Sequence, residues 1–175
     1  MIDTKLIVPP DYSNIWILGI RFNPDSDIPE FYTLMFSAYD HVPLMCEDKY
    51  ILAFSNIDSL KAFCKKEFPD LETDSLNVEL ICEIASILYL ISSEQEDSEV
   101  DIIDGLNIIF DLINATDQKI KEPDKRLLFA FADHMTFTKD IAAFFEEKDF
   151  TREDLIDSII WCVGLIVTSM KFMHN

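Results

Sequence analysis

Glycine is scarce in this chain, with only Gly19, Gly105 and Gly164 among 175 residues. Phosphate-cradling turns need closely spaced glycines, so neither a P-loop nor a dinucleotide-binding turn can be built, and the common nucleotide-binding enzymes are excluded. Histidine is equally sparse: His41, His134 and His174 stand far apart and form no HExxH, so zinc hydrolysis has no signature. The four cysteines, Cys46, Cys64, Cys82 and Cys162, show no CxxC spacing. With no signal-peptide pattern at the N-terminus, they read as buried free thiols in a reducing cytosol, and a cytoplasmic location is expected. The longest strongly apolar segment, SIIWCVGLIVTSM, has thirteen residues between Asp157 and Lys171. That is too short to span a bilayer and fits a core helix instead.

The most informative absence is of basic residues. The chain carries a formal charge of -19, from 33 acidic and 14 basic residues. Residues 1–66 hold nine acids and six bases, and residues 119–175 hold ten acids and eight bases. Residues 67–118 hold fourteen acids and no Lys or Arg. Like charges at that density repel, with screening only beyond roughly 8–10 Å, and solubility alone is served as well by interspersed charges of both signs. The sign disfavours nucleic acid and anionic membranes as partners and favours a cationic one.

What is present is enough for a core: 49% of the residues are apolar, so one domain of this length can bury a sizeable interior. IWILGIRF (Ile15 to Phe22) has the β-branched and aromatic character of a strand. NPDSDIP predicts a turn into a helix from about Pro29 to Ala38, with Asp27 as N-cap and Pro29 in the first turn. PLMCEDKYILAF predicts two short strands joined at Glu47-Asp48-Lys49, and NIDSLKAFCKKEF a helix capped near Asn56 or Asp58 and stopped before Pro69. From Leu76 onward the spacing predicts helices only: one through Leu76, Leu80, Ile84, Ile87, Leu88 and Ile91, and one through Ile102, Ile103, Leu106, Phe110 and Ile113. Three more are predicted over Asp124 to His134, over about Lys139 to Lys148, and from the TRED capping box at Thr151. The expected fold is α+β: a small antiparallel sheet of about three strands with helices over residues 1–69, packed on a C-terminal helical bundle over residues 70–175. The two parts are expected to share one core as a single domain, with 69–74 the best candidate for a boundary.

No residue pattern marks a catalytic centre. A cysteine could pair with His41 or His134 across the fold, but all four cysteines lie in strand or helix segments that suit packing. His134, near a helix end, suits a helix-terminal interaction. In DSEVDIIDG, Asp97, Glu99 and Asp101 occupy positions 1, 3 and 5 of a calcium loop, but Ile102 stands where the glycine belongs and Ile108 where the last glutamate belongs. Glu79 and Glu83 with Asp101 and Asp104, if each pair sat on one of two antiparallel helices, resemble in outline the magnesium site of the all-helical nucleotide pyrophosphatases. That family's paired acids stand three apart on both helices, whereas Glu79 and Glu83 stand four apart, and no base stands nearby for a triphosphate. No metal and no cofactor is therefore expected.

What remains is a surface. SSEQEDSEVDIID carries Glu94, Glu96, Asp97, Glu99, Asp101 and Asp104 without a base, and Asp70, Glu72 and Asp74 form a second cluster. A small acidic α+β chain with this one-sign surface and no catalytic signature resembles the immunity proteins of bacterial toxin systems, including the contact-dependent growth-inhibition type. The resemblance is one of size, charge and organisation. It implies a one-to-one complex with a cationic toxin domain, often a nuclease, whose basic groove these carboxylates would cover, the 94–104 set first and the 70–74 set second. A DNA-mimicking inhibitor, an adaptor that binds through apolar helices, and the pyrophosphatase are the alternatives that the sequence leaves open.

Overall fold

A computed structural model describes residues 5–23, 25–93 and 101–173. The fold is α+β. The strands are β1 (Leu6–Ile7), β2 (Asn14–Arg21), β3 (Phe31–Ser37), β4 (His41–Pro43), β5 (Met45–Cys46), β6 (Ile51–Ala53), β7 (Val78–Glu83) and β8 (Met170–Phe172). The helices are α1 (Ile57–Glu67), α2 (Ile84–Ser93), α3 (Ile102–Ala115), α4 (Glu122–Phe137), α5 (Ile141–Glu147) and α6 (Arg152–Thr168).

The strands form two mixed four-stranded sheets, ordered β1-β5-β6-β8 and β4-β3-β2-β7. In each, the last strand in that order is parallel to its neighbour, β8 to β6 and β7 to β2. Parallel pairing needs a crossover, and both parallel strands come from the half in which the spacing predicts only helices. The expected single antiparallel sheet is therefore corrected to two mixed sheets, completed from the C-terminal half.

Two predicted helices are corrected as well. Pro29 to Ala38 contains β3, paired antiparallel with β2 from Asn14↔Ser37 to Ile20↔Phe31. The physical reason lies in the layering. Trp16, Leu18, Ile20 and Met35 belong to one buried cluster with α2 to α6, whereas Ile17, Tyr32, Leu34 and Phe36 belong to a second beneath α1. Strands buried on both faces lose the polar-apolar alternation, so their apolar run cannot be told from a helix by period. Pro29 starts no helix here: its ring lies over Gly19, where an added Cβ would come within 2.6 Å of Pro29 Cγ. The second correction concerns 76–83, which enter β7 before α2 begins at Ile84. Leu76, Val78, Leu80, Cys82 and Ile84 recur every second residue as well as at helical intervals, and pairing with β2 decides between the two periods.

Elsewhere the local chemistry holds. Asn56 Oδ1 accepts from the Ser59 N–H at 2.8 Å to cap α1. Thr151 and Asp154 form a reciprocal capping box at α6, and the Glu47-Asp48-Lys49 turn joins β5 to β6 with Lys49 at φ 63°. Asp101 Oδ1 accepts from Ile103 and Asp104 N–H at 2.9 and 3.0 Å, fixing the start of α3. That end of α3 packs closely on its neighbours: Gly105 faces the Ile87 side chain of α2, and Cys82 Sγ of β7 lies 3.8 Å from Gly105 O.

Candidate functional site: an acidic cleft between the sheet and α3

On α3, Asp104, Asn107 and Asp111 stand three and four residues apart, so they share one stripe of a helix whose other positions are mostly buried and apolar. That stripe faces the β4-β3-β2-β7 sheet across a cleft of about 370 Å³. The strand side is lined by Asn14 and Trp16 of β2, Ser37 of β3, His41 of β4, and Glu79 and Leu80 of β7; Ile108 completes the helix side. A second hollow, sharing Leu80 and Asp104 with the first, continues toward Glu83, Asp101 and Gly105. Five carboxylates, those of Glu79, Glu83, Asp101, Asp104 and Asp111, thus border one β7–α3 seam. All five fall in the 67–118 segment that has no base.

These carboxylates differ in what they already do. Glu83 is engaged by Arg21 at 2.6 Å and by Ser86 Oγ at 3.0 Å, and Asp101 is the α3 cap. Among the described residues, no hydrogen bond or ion pair is made by the carboxylates of Glu79, Asp104 and Asp111. Asp111 is half-buried, and its desolvation raises its carboxyl above the ordinary Asp value; His41 opposes that shift and Asp40 adds to it. At the back of the cleft, Trp16 Nε1 donates to Ser37 Oγ at 3.1 Å, and Ser37 Oγ lies 3.4 Å from His41 Nδ1. An indole N–H only donates, so Ser37 Oγ accepts from Trp16, and its hydroxyl keeps both a donor and an acceptor for His41 Nδ1. The imidazole also meets the Trp16 ring edge-on, with centroids 5.8 Å apart.

Two kinds of chemistry find no support in this geometry. Among the described residues, no three His, Cys, Asp or Glu side chains stand close enough to hold a metal ion. Glu79 and Glu83 lie on β7 and not on a helix, so the paired-helix arrangement of the pyrophosphatase site does not form. The cysteines are all buried and free. Burial pushes the Cys64 thiol up to about 11. Burial first, with a nearby acid second, pushes Cys82 and Cys162 up to about 12, the opposite of an activated nucleophile. His134 is held at its helix end by the Asp140 carbonyl, 2.8 Å from Nε2.

Of the carboxylates chosen from the sequence, Asp101 and Asp104 come together at the seam. Asp70, Glu72 and Asp74 are exposed around the short turn after α1 and line neither hollow. Glu94, Glu96, Asp97 and Glu99 lie outside the described residues. Glu79, weighed only as a metal ligand, and Asp111, not singled out at all, prove to line the cleft. The signal for Asp111 was the polar stripe 104-107-111 on an otherwise apolar helix.

No family model, curated protein or solved structure matches this chain.

Proposed function

We propose that this chain is a binding protein for a cationic protein domain, and that its role is the immunity-type one of neutralising a basic toxin domain, a nuclease being the class whose substrate groove such a surface fits. The observation that carries the reading is the concentration of acid: fourteen carboxylates and no base over 52 residues, with Glu79, Asp104 and Asp111 lining one cleft and unpaired among the described residues. A one-sign surface raises association rates toward an oppositely charged partner by roughly 10- to 1,000-fold and penalises like-charged competitors. Carboxylates seated where phosphates would bind would occlude the partner's groove, so the chain itself would perform no reaction.

A second reading has an observation of its own. Ile160, Trp161 and Val167 of α6 are exposed, as is Phe137 at the end of α4, and an adaptor would dock through such residues with little sensitivity to salt. Affinity capture separates the two. The protein is used as bait for a lysate of its source organism, washed at increasing salt, and the retained proteins are identified by mass. The proposal expects a strongly basic protein that elutes as salt rises and whose enzymatic activity the bait inhibits. Neutral proteins held regardless of salt would replace it with the adaptor role.

A further inference from the structure

The cleft carries a more specific assignment, which rests on the proposed function and deepens it. We propose that the cleft between the sheet and α3 is a socket for one arginine side chain of the partner. Its walls are of two kinds. Leu80, Ile108 and Trp16 offer apolar surface, and Glu79, Asp104, Asn107 and Asp111 offer acceptors. A side chain with an aliphatic stem and a cationic head meets both at once.

Three features select the head group. No three His, Cys, Asp or Glu among the described residues stand together as a metal site, whereas an extended cation reaches Glu79 on the strand side and Asp104 and Asp111 on the helix side of the cleft. They are unpaired among the described residues, so a cation displaces no existing ion pair. Several separated acceptors match the five donors of a planar guanidinium better than the point charge of an ammonium group. The volume of about 370 Å³ lies at the lower end of the range for formed binding pockets, roughly 300–1,000 Å³. Asp111 supplies the attraction that water screens least, because its half-buried carboxylate is already partly desolvated. A guanidinium there replaces lost hydration with charge-assisted hydrogen bonds.

The test uses the full chain and N-acetyl-arginine amide as probe, followed by the indole N–H resonances of the two tryptophans. Trp16 lines the cleft, whereas Trp161 lies on α6 with Lys121 Nζ 4.3 Å from its ring centroid. A saturable shift of the Trp16 signal, with Trp161 unmoved, is expected. The uncharged citrulline analogue should leave both signals in place. Asp111→Asn should weaken the arginine probe by about tenfold, the loss of one hydrogen bond to a charged group; Asp104→Asn, at an exposed position, is the second variant should the first disturb folding. Equal shifts with citrulline, tighter binding of spermidine than of the arginine probe, or no loss in either variant would overturn the assignment. The broader reading fails separately. A basic partner captured equally well by wild type and both variants would sink the socket and leave the proposed function standing, whereas a saturable arginine shift with no basic partner captured would do the reverse.

Discussion

Gly105 lets the start of α3, and with it Asp104, sit close against α2, and that close approach can be tested in isolation. An added Cβ would fall inside the van der Waals envelope of Ile87 Cδ1, with Ile87 Cγ1 at an ordinary 3.6 Å. Ile87 is only 1% exposed, packed with Ile84, Leu106 and Ile109 in the larger cluster, so its terminal methyl must either press into that cluster or turn off its packed rotamer toward the small hollow that Ile87 and Gly105 line. Alanine in place of a helical glycine gains about 1 kcal/mol of propensity. Overpacking a filled core costs about 1–3 kcal/mol. Gly105→Ala should therefore lose about 1 kcal/mol net, a fall in Tm of about 2–4 °C for a chain of this size. Ile87→Val removes the offending atom and by itself costs about 0.5–1.5 kcal/mol. On that background the steric term vanishes and the propensity term remains, so Gly105→Ala should become neutral or stabilising. Urea unfolding of the four proteins at common m reads out the cycle, and a coupling of about 1–3 kcal/mol is expected. Equal destabilisation by Gly105→Ala in both backgrounds would refute the account of this contact.

Desolvation raises the Asp111 carboxyl above its ordinary 3.8, so its ionisation opposes folding: stability is highest with the acid protonated and declines as pH rises from the unfolded value through the folded one. Asp111→Asn should consequently raise the urea midpoint at neutral pH, with the gain shrinking toward zero below pH 3.8; a gain independent of pH would contradict the cause assigned to the shift. All four thiols are buried, so an aromatic disulfide reagent at pH 8 should find almost none in the native protein and four after denaturation. A rapid native-state reaction at Cys64, Cys82 or Cys162 would contradict the raised values. Asn56→Ala removes the side-chain acceptor of the Ser59 N–H at the α1 N-terminus and should cost about 1 kcal/mol, with restoration by Asp.

The helical half shows how far local signals reach. Thr151, like Asn56 earlier in the chain, caps its helix as the sequence predicts, and Asp101 and Asp140, not predicted as caps, do the same through a hydrogen bond from a short polar side chain to nearby backbone. The strands failed where burial is decided at long range. Nothing within 31–37 says that α1 covers one face of β3 while the helical layer covers the other. Likewise nothing near Met170 says that β8 pairs with β6, more than a hundred residues earlier. The candidate site divides in the same way. Asp104 was visible as part of an acid run, whereas the cleft exists only because β7 brings Glu79 opposite a stripe that ends at Asp111. A charge count found the right third of the chain, and strand pairing chose which carboxylates in it share a hollow.

The central claim is that unpaired acid on this chain draws in a cationic domain. Its most direct test is the association rate with the captured partner, measured by stopped flow from low to physiological ionic strength, for wild type and for a variant with Glu96, Asp97 and Glu99 reversed to Lys. Electrostatic steering predicts that association of the wild type slows by about tenfold or more across that range while dissociation changes little. The variant, folded by circular dichroism, should start more than about tenfold slower at low salt and depend on salt far less. An association rate indifferent to both salt and charge reversal would contradict the claim and locate the interface on the exposed apolar residues of α6.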